Sequence, residues 1–269
     1  MIQGQSPYTW FKQYRFSPIF AQSLRISQAE SVKRFAYYHL DVNAGSGYND
    51  DMRVAGSPLN FLSAVERTKR NNFYAFFVDE NRNRIGELVT RPQVEAMSDR
   101  VSAFHADNAE VPAVVDAFIR RREHRPDYAV GSLVIDPNGY HNGVPWDALR
   151  EFCAMHPRID VVMNLGTRSF RMEKYWIGRK PGKWMTYTLH PISSFKEWFS
   201  RPHWMVTEEC RISKNSWVQL VGRTMETHKP DYRSLGFYDA DSDRGRRIVA
   251  GIENDSARTG VESPFLPDL

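Results

Sequence analysis

Cysteine is almost missing from this chain. Cys153 and Cys210 are the only two in 269 residues. Two cysteines so placed exclude a disulfide framework and show no metal-ligand spacing. Cys153 shares helical spacing with Trp146, Leu149 and Phe152 and reads as a core residue. A reducing cytoplasmic setting is the expectation. No apolar run is long enough to cross a bilayer, so no membrane role is expected. Met1 to Pro7 lacks a charged start followed by an apolar stretch, and no secretory signal is read there. A P-loop, a G-x-S-x-G elbow and an H-x-x-x-H helix are all lacking, which removes the sequence basis for three common chemistries. His105, His141, His190 and His203 are scattered, and no metal site is expected. There is no internal repeat and no low-complexity tract. Charge bias is also slight: the net charge is +4. That permits nucleic acid as a partner without requiring it.

What is present suits one large domain. The chain is 41% hydrophobic and 13% aromatic, enough to bury a sizeable core. Tyr8 to Phe20 is aromatic and basic, punctuated by Pro7 and Pro18. It reads as an N-terminal arm with one short helix, and Gln22 to Lys33 as a second. From there the patterns alternate. Arg34–Leu40 is a strand, and Gly56-Ser57-Pro58 opens a helix with Ser57 as N-cap and Pro58 at the first helical position. Phe73–Val78 is an unbroken apolar run, as in a strand buried on both faces. Ile85, Leu88 and Val89 suggest a helix, and Val101–Phe104 a strand. Val111, Val114, Val115, Phe118 and Ile119 make a helical stripe. Tyr128–Ile135 is the fourth strand and Ile159–Leu165 the fifth.

Alternating strands and helices imply an α/β fold with a mostly parallel central sheet. His203–Arg211 and Trp217–Thr224 read as an antiparallel hairpin closing it. The expected organisation is an arm over 1–33, a Rossmann-like domain over 34–237 and a poorly ordered tail over 238–269.

Three features carry chemistry. The first is a set of polar strand tips. Asp41-Val42-Asn43-Ala44-Gly45-Ser46-Gly47 follows the first strand, Asp79 the second, Asp107-Asn108 the third and Asp136 the fourth. Glycines let a backbone approach a ligand closely, and open α/β sheets bind ligands at the carboxyl ends of their strands. Asp79 could accept both ribose hydroxyl protons of an adenosine. Asp107 and Asn108 could read an adenine edge, or cap the helix at Val111. The loop with Asn43, Ala44, Gly45 and Gly47 would pack on the cofactor's amino-acid part. This is the layout of an S-adenosylmethionine site.

The second feature is Asp136-Pro137-Asn138-Gly139-Tyr140. A polar tip there could accept hydrogen bonds from a target amine, with Tyr140 stacking on a base. A plain turn is the competing reading. The third is Gly166 to Trp184, which sets Arg168, Arg171, Lys174, Arg179, Lys180 and Lys183 among four aromatic residues. Cations for phosphates beside rings for bases make a nucleic-acid-binding loop, or else a solvated loop whose rings pack inward.

The order of Asp41-x-x-Ala44-Gly45-Ser46-Gly47, Gly56-Ser57-Pro58, Asp136-Pro137 and Val144-Pro145-Trp146 resembles the three-Cys-motif partner protein family. So do the Asp160-Val161-Val162-Met163-Asn164 strand and Arg168. The Gly-Ser-Pro element also resembles adenine amino-methyltransferases. The likeness covers roughly residues 30 to 170. It implies a Rossmann-fold methyltransferase, with S-adenosylmethionine at Asp41, Gly45, Gly47, Asp79 and Asp107, and the target amine at Asp136 and Pro137. The sequence departs from the D-P-P-Y pattern of those enzymes: Asn138 replaces the second proline, Gly139 the aromatic, and Tyr140 stands one residue late. Asn43 stands where the first loop usually has an aromatic. The expectation is methyl transfer to an exocyclic base amine in DNA or RNA. The alternatives are an inactive relative that binds nucleic acid or a protein partner, in a phage or defence system, and an enzyme using another adenosine cofactor. A homo-oligomer is also open.

Overall fold

The computed structural model describes residues 7–29, 33–50, 53–137, 144–167, 192–212, 215–224 and 232–253. The strands are β1 (Tyr37–Asp41), β2 (Tyr48–Asn49), β3 (Val54–Ala55), β4 (Phe73–Asp79), β5 (Val101–His105), β6 (Val130–Ile135), β7 (Ile159–Gly166), β8 (His203–Thr207), β9 (Cys210–Ile212), β10 (Asn215–Arg223) and β11 (Phe237–Asp239). The helices used below are α1 (Pro7–Ile26), α2 (Ser57–Thr68), α3 (Arg82–Val89), α4 (Pro92–Glu95), α5 (Val111–Arg122) and α6 (Trp146–Met155).

Nine of the described strands form one sheet in the order β11-β8-β10-β7-β6-β1-β4-β5, with β9 paired to β10. β5, β4, β1, β6 and β7 run parallel. β10 is antiparallel to both β7 and β8, so β8 points the same way as the parallel set. An open parallel sheet with a reversed strand inserted next to its last members is the arrangement of the Rossmann-like methyltransferase fold.

The sheet's two faces differ. Tyr38, Leu40, Phe76, Leu133, Ile135, Val161 and Met163 face a largely apolar layer with residues of α5 and α6. The other face meets α1 and α2 and carries polar groups in its core. There the imidazole of His39 stacks on Phe61 with ring centroids 3.8 Å apart and shares a 2.7 Å hydrogen bond with Ser132. Burial pushes its pKa down to about 3, so it stays neutral.

Three elements depart from the expectation. The arm is one 20-residue helix, with Pro18 inside it. An interior proline costs about 3 kcal/mol. Phe16, Ile19, Phe20 and Leu24 are buried on one side of that helix, each contributing about 1.5–3 kcal/mol, so burial wins. The antiparallel part exceeds a hairpin: β11 pairs with β8, and β8 with β10. In the stretch expected to be a poorly ordered tail, β11 is followed by a helix, Asp243–Glu253, whose Val249 and Ile252 are buried. With the half-buried Ile248 they make a narrow apolar stripe, which suffices because the helix packs on β8 and β11 and exposes charge elsewhere.

Candidate active site

The parallel strands deliver their carboxyl ends to one edge. Asp41 lies opposite Phe77 of β4 and Val134 of β6, and Asp79 lies opposite His105 of β5. The chain leaves β1 for β4 on one side and later returns to β6 on the other. The crevice where the order reverses is where such sheets hold ligands.

The loop after β1 is pinned to both neighbours. Val42 N–H donates to Val134 carbonyl at 3.2 Å, and Ala44 N–H to Val78 carbonyl at 2.9 Å. Gly45 and Gly47 have φ of +63° and +73°, a region that disfavours side chains. A Cβ on Gly47 would lie 2.5 Å from Leu88 Cδ1, whereas one on Gly45 would meet nothing within 4 Å. The first glycine therefore faces open space and the second lets the loop settle on α3.

Asp41 is fully buried. Its Oδ1 accepts the Asn43 N–H at 3.0 Å, and Oδ2 has no hydrogen-bond partner among the described residues. Burial pushes its pKa up to about 7; Ser57 and the Asn43 N–H work against that shift, while Asp136 and Asp79 add to it. Ser57 is not the N-cap of α2. Gly56 holds that position, and Ser57 directs its hydroxyl toward Asp41 instead.

Asn43 reaches across to β6, where its Oδ1 accepts the Asp136 N–H at 3.2 Å. Asp136 Oδ1 in turn accepts a hydrogen bond from Asn164 Nδ2 of β7 at 2.8 Å. Four residues from three adjacent strand ends thus form one polar chain, linked through their side chains and the N–H groups of Asn43 and Asp136: Asp41, Asn43, Asp136, Asn164. Pro137 follows and is buried.

Asp79 turns toward the glycine loop. Its Oδ2 accepts the Gly45 N–H at 3.0 Å, its Oδ1 the Asn81 N–H at 2.8 Å, and Arg84 lies 3.9 Å away. A carboxylate has about four acceptor sites, so acceptor capacity remains. Past β5 the roles divide. Asp107 is exposed and accepts the Ala109 N–H at 2.9 Å. It does not cap α5, whose N-cap is Glu110. Asn108 is buried, and its Oδ1 lacks a partner among the described residues.

Asp41, Asn43, Ala44, Gly45, Gly47, Asp79, Asp107, Asn108, Asp136 and Pro137 therefore share one edge. Asn138, Tyr140, Arg168, Arg171, Lys174, Arg179, Lys180 and Lys183 lie outside the described residues. Sequence reading missed Asn164 as a site residue. Its signal is a lone amide within Val161–Leu165, since a buried amide in an apolar strand needs a partner. No group of three or more metal-ligating side chains occurs among the described residues. No helix among them is long and apolar enough to cross a membrane.

No family model matches the sequence, and no curated protein matches it. Among solved structures, protein LPL1258 from Legionella pneumophila str. Philadelphia 1 (family-model DUF519) aligns at a TM-score of 0.55. That alignment covers 91% of this chain and 93% of that one, at 9% identity. The N-terminal domain of human METTL16 in complex with SAH gives 0.43 at 12% identity, over 79% of this chain and 70% of that one. Precorrin 8w decarboxylase from Methanobacterium thermoautotrophicum gives 0.41 at 12% identity, over 71% and 83%. The first alignment shows a shared fold and nothing finer; the other two are too loose to argue from.

Proposed function

We propose that the chain is an S-adenosylmethionine-dependent methyltransferase acting on an exocyclic base amine of nucleic acid. The observation that carries this reading is the polar chain from Asp41 through Asn43 and Asp136 to Asn164, built across the reversal point of a methyltransferase-type sheet.

The residues present suit the cofactor. Asp41 Oδ2 and Asn108 Oδ1 are buried acceptors with no donor among the described residues, and Gly45 leaves open space beside the loop. Asp41 and the Asn43–Gly47 loop would hold the amino-acid part, Asp79 the ribose hydroxyls, and Asn108 with Asp107 the adenine edge. When bound, the cofactor supplies an activated methyl group. The chain's own task is positioning, which can account for a large share of a barrier. Asp136, its carboxylate oriented by Asn164, accepts a hydrogen bond from the target amine, and the backbone near Pro137 accepts a second. The nitrogen lone pair is thereby aimed into the crevice. Tyr140 would wall the flipped base, and Arg168, Arg171, Lys174, Arg179, Lys180 and Lys183 would grip phosphates.

Calorimetric titration with S-adenosylmethionine and S-adenosylhomocysteine tests the cofactor. Heat is expected with both, and Asp41→Ala is expected to abolish it. Asp136→Ala should keep the heat and lose methyl transfer to mixed RNA and DNA; loss of both together would make Asp136 structural. The Asn138-Gly139 departure from the amino-methyltransferase pattern favours a second reading, a non-catalytic member that keeps the fold and binds nucleic acid or a protein. Absence of heat with either ligand would select it.

A further inference from the structure

The amino edge of the same sheet, where the parallel strands begin, carries a cluster that the chemistry above does not use. Tyr128, just before β6, has the guanidinium carbon of Arg125 3.7 Å from its ring centroid and that of Arg158 at 3.8 Å. Two guanidiniums at stacking distance cannot share one face of a phenol ring, so Tyr128 is sandwiched between them. Its ring lies 5.9 Å from that of Phe35, over which Arg34 stands at 4.9 Å. These cations precede β6, β7 and β1, three neighbours in the sheet. Arg122 continues the rim, 4.2 Å over Tyr74 and bonded to its hydroxyl.

The nearby acids do not neutralise this group. Asp127 pairs with Arg125 at 3.4 Å, with both side chains more than half exposed. Glu123 is engaged inward, accepting from the Tyr38 hydroxyl at 2.8 Å and the Ala36 N–H at 3.2 Å. Arg34, Arg122 and Arg158 have no carboxylate partner among the described residues. Like charges are therefore gathered around shared rings, and an anion would relieve their repulsion. Stacking holds each guanidinium plane and, apart from the Arg122 bond to Tyr74 and the Arg125 pair with Asp127, leaves N–H edges open, a geometry suited to bidentate contact with phosphate oxygens.

We propose that this rim is a second nucleic-acid contact, which grips the sugar-phosphate backbone at the edge opposite the candidate active site. It requires no methyl-transfer chemistry and stands whether or not that site is active. A lipid surface suits it less. The exposed large apolar side chains of the described residues are Tyr14, Val89 and Val114, none of them in this cluster.

The test is fluorescence anisotropy of the full chain with labelled poly(U) RNA across a salt series. Removing three phosphate contacts with R34A/R125A/R158A should weaken binding about tenfold at low salt and lower the log–log salt slope by about 2. The charge-matched variant R233A/R246A/R247A should leave that slope unchanged. If the rim triple does not fold by circular dichroism, Arg34→Ala and Arg158→Ala singly should each lower the slope by about 0.7. An unchanged slope in the rim variants, or an equal drop in both triples, overturns the proposal. So does loss of binding to phosphatidylserine vesicles while RNA binding is kept. Heat with S-adenosylhomocysteine should be the same in wild type and rim variants, which separates this test from that of the active site.

Discussion

At the carboxyl edge of the sheet, Asp41, Asp79 and Asp136 sit buried beside one another; at the amino edge, arginines dominate. Some of those arginines are exposed on aromatic rings, as at Tyr128. Others are buried and capture carbonyls. Arg70 donates to Ser27, Phe35 and Asn72 carbonyls, and Arg201 to those of Cys153, His156, Ile159, Phe199 and Ser200. Parallel strands explain how the two chemistries stay apart. All of them begin at one edge and end at the other, so residue types at strand starts and strand tips collect on opposite sides. The two edges also spend free energy differently. Arg201 is buried with its donors satisfied, so it holds the fold together. Asp41 is buried with one oxygen unpartnered among the described residues, which costs stability and leaves a group ready for a ligand.

This contrast can be tested from its strongest side down. Arg201→Met leaves five carbonyls without their donor and should cost about 3–5 kcal/mol in urea unfolding. A loss below about 1 kcal/mol would mean that water replaces the guanidinium.

Asp41→Asn should act in the opposite direction. The folded-state pKa of Asp41 is raised from 3.8 to about 7. Below about pH 4 both states hold the proton and no penalty exists. As pH climbs from about 4 to about 7 the unfolded chain ionises first, stability drains away, and above 7 the loss is complete. The asparagine variant should therefore be more stable than wild type by up to about 4 kcal/mol at pH 8 and close to it at pH 4. A gain that is the same at both values would show that the carboxylate is not the source.

Asn164→Ala tests the smallest effect. It removes the donor that orients Asp136. Methyl transfer should fall about tenfold with cofactor heat unchanged, since about 1.4 kcal/mol is a fair loss for one orienting hydrogen bond. Equal weakening of cofactor binding would mean that Asn164 supports the whole crevice instead.

Much of the candidate site was legible because its signals are local. A glycine with positive φ, an acid at the end of an apolar run and the alternation of strand and helix can each be read within ten residues or so. Ser57 was misread for the same reason. Gly-Ser-Pro is a good helix start, and only its approach to Asp41 reveals that the hydroxyl has other work. Helix α1 was obscured by Pro18, whose local cost is overcome by burial against α2 and the sheet. The helix at Asp243–Glu253 has Ile248, Val249 and Ile252 at helical spacing, but the short apolar face is set within a charged segment, which draws the eye to its charge.

By itself, the sequence determined an alternating α/β chain whose strands end in acids and glycines, since the 2.0 and 3.6 periods and turn chemistry act between near neighbours. Which of those tips would meet was decided by the tertiary structure. The β5-β4-β1-β6-β7 order sets Asn43 against Asp136 and Asp136 against Asn164 across 93 and 28 residues of chain, and hydrogen bonds of that span depend on strand pairing, which no local pattern encodes.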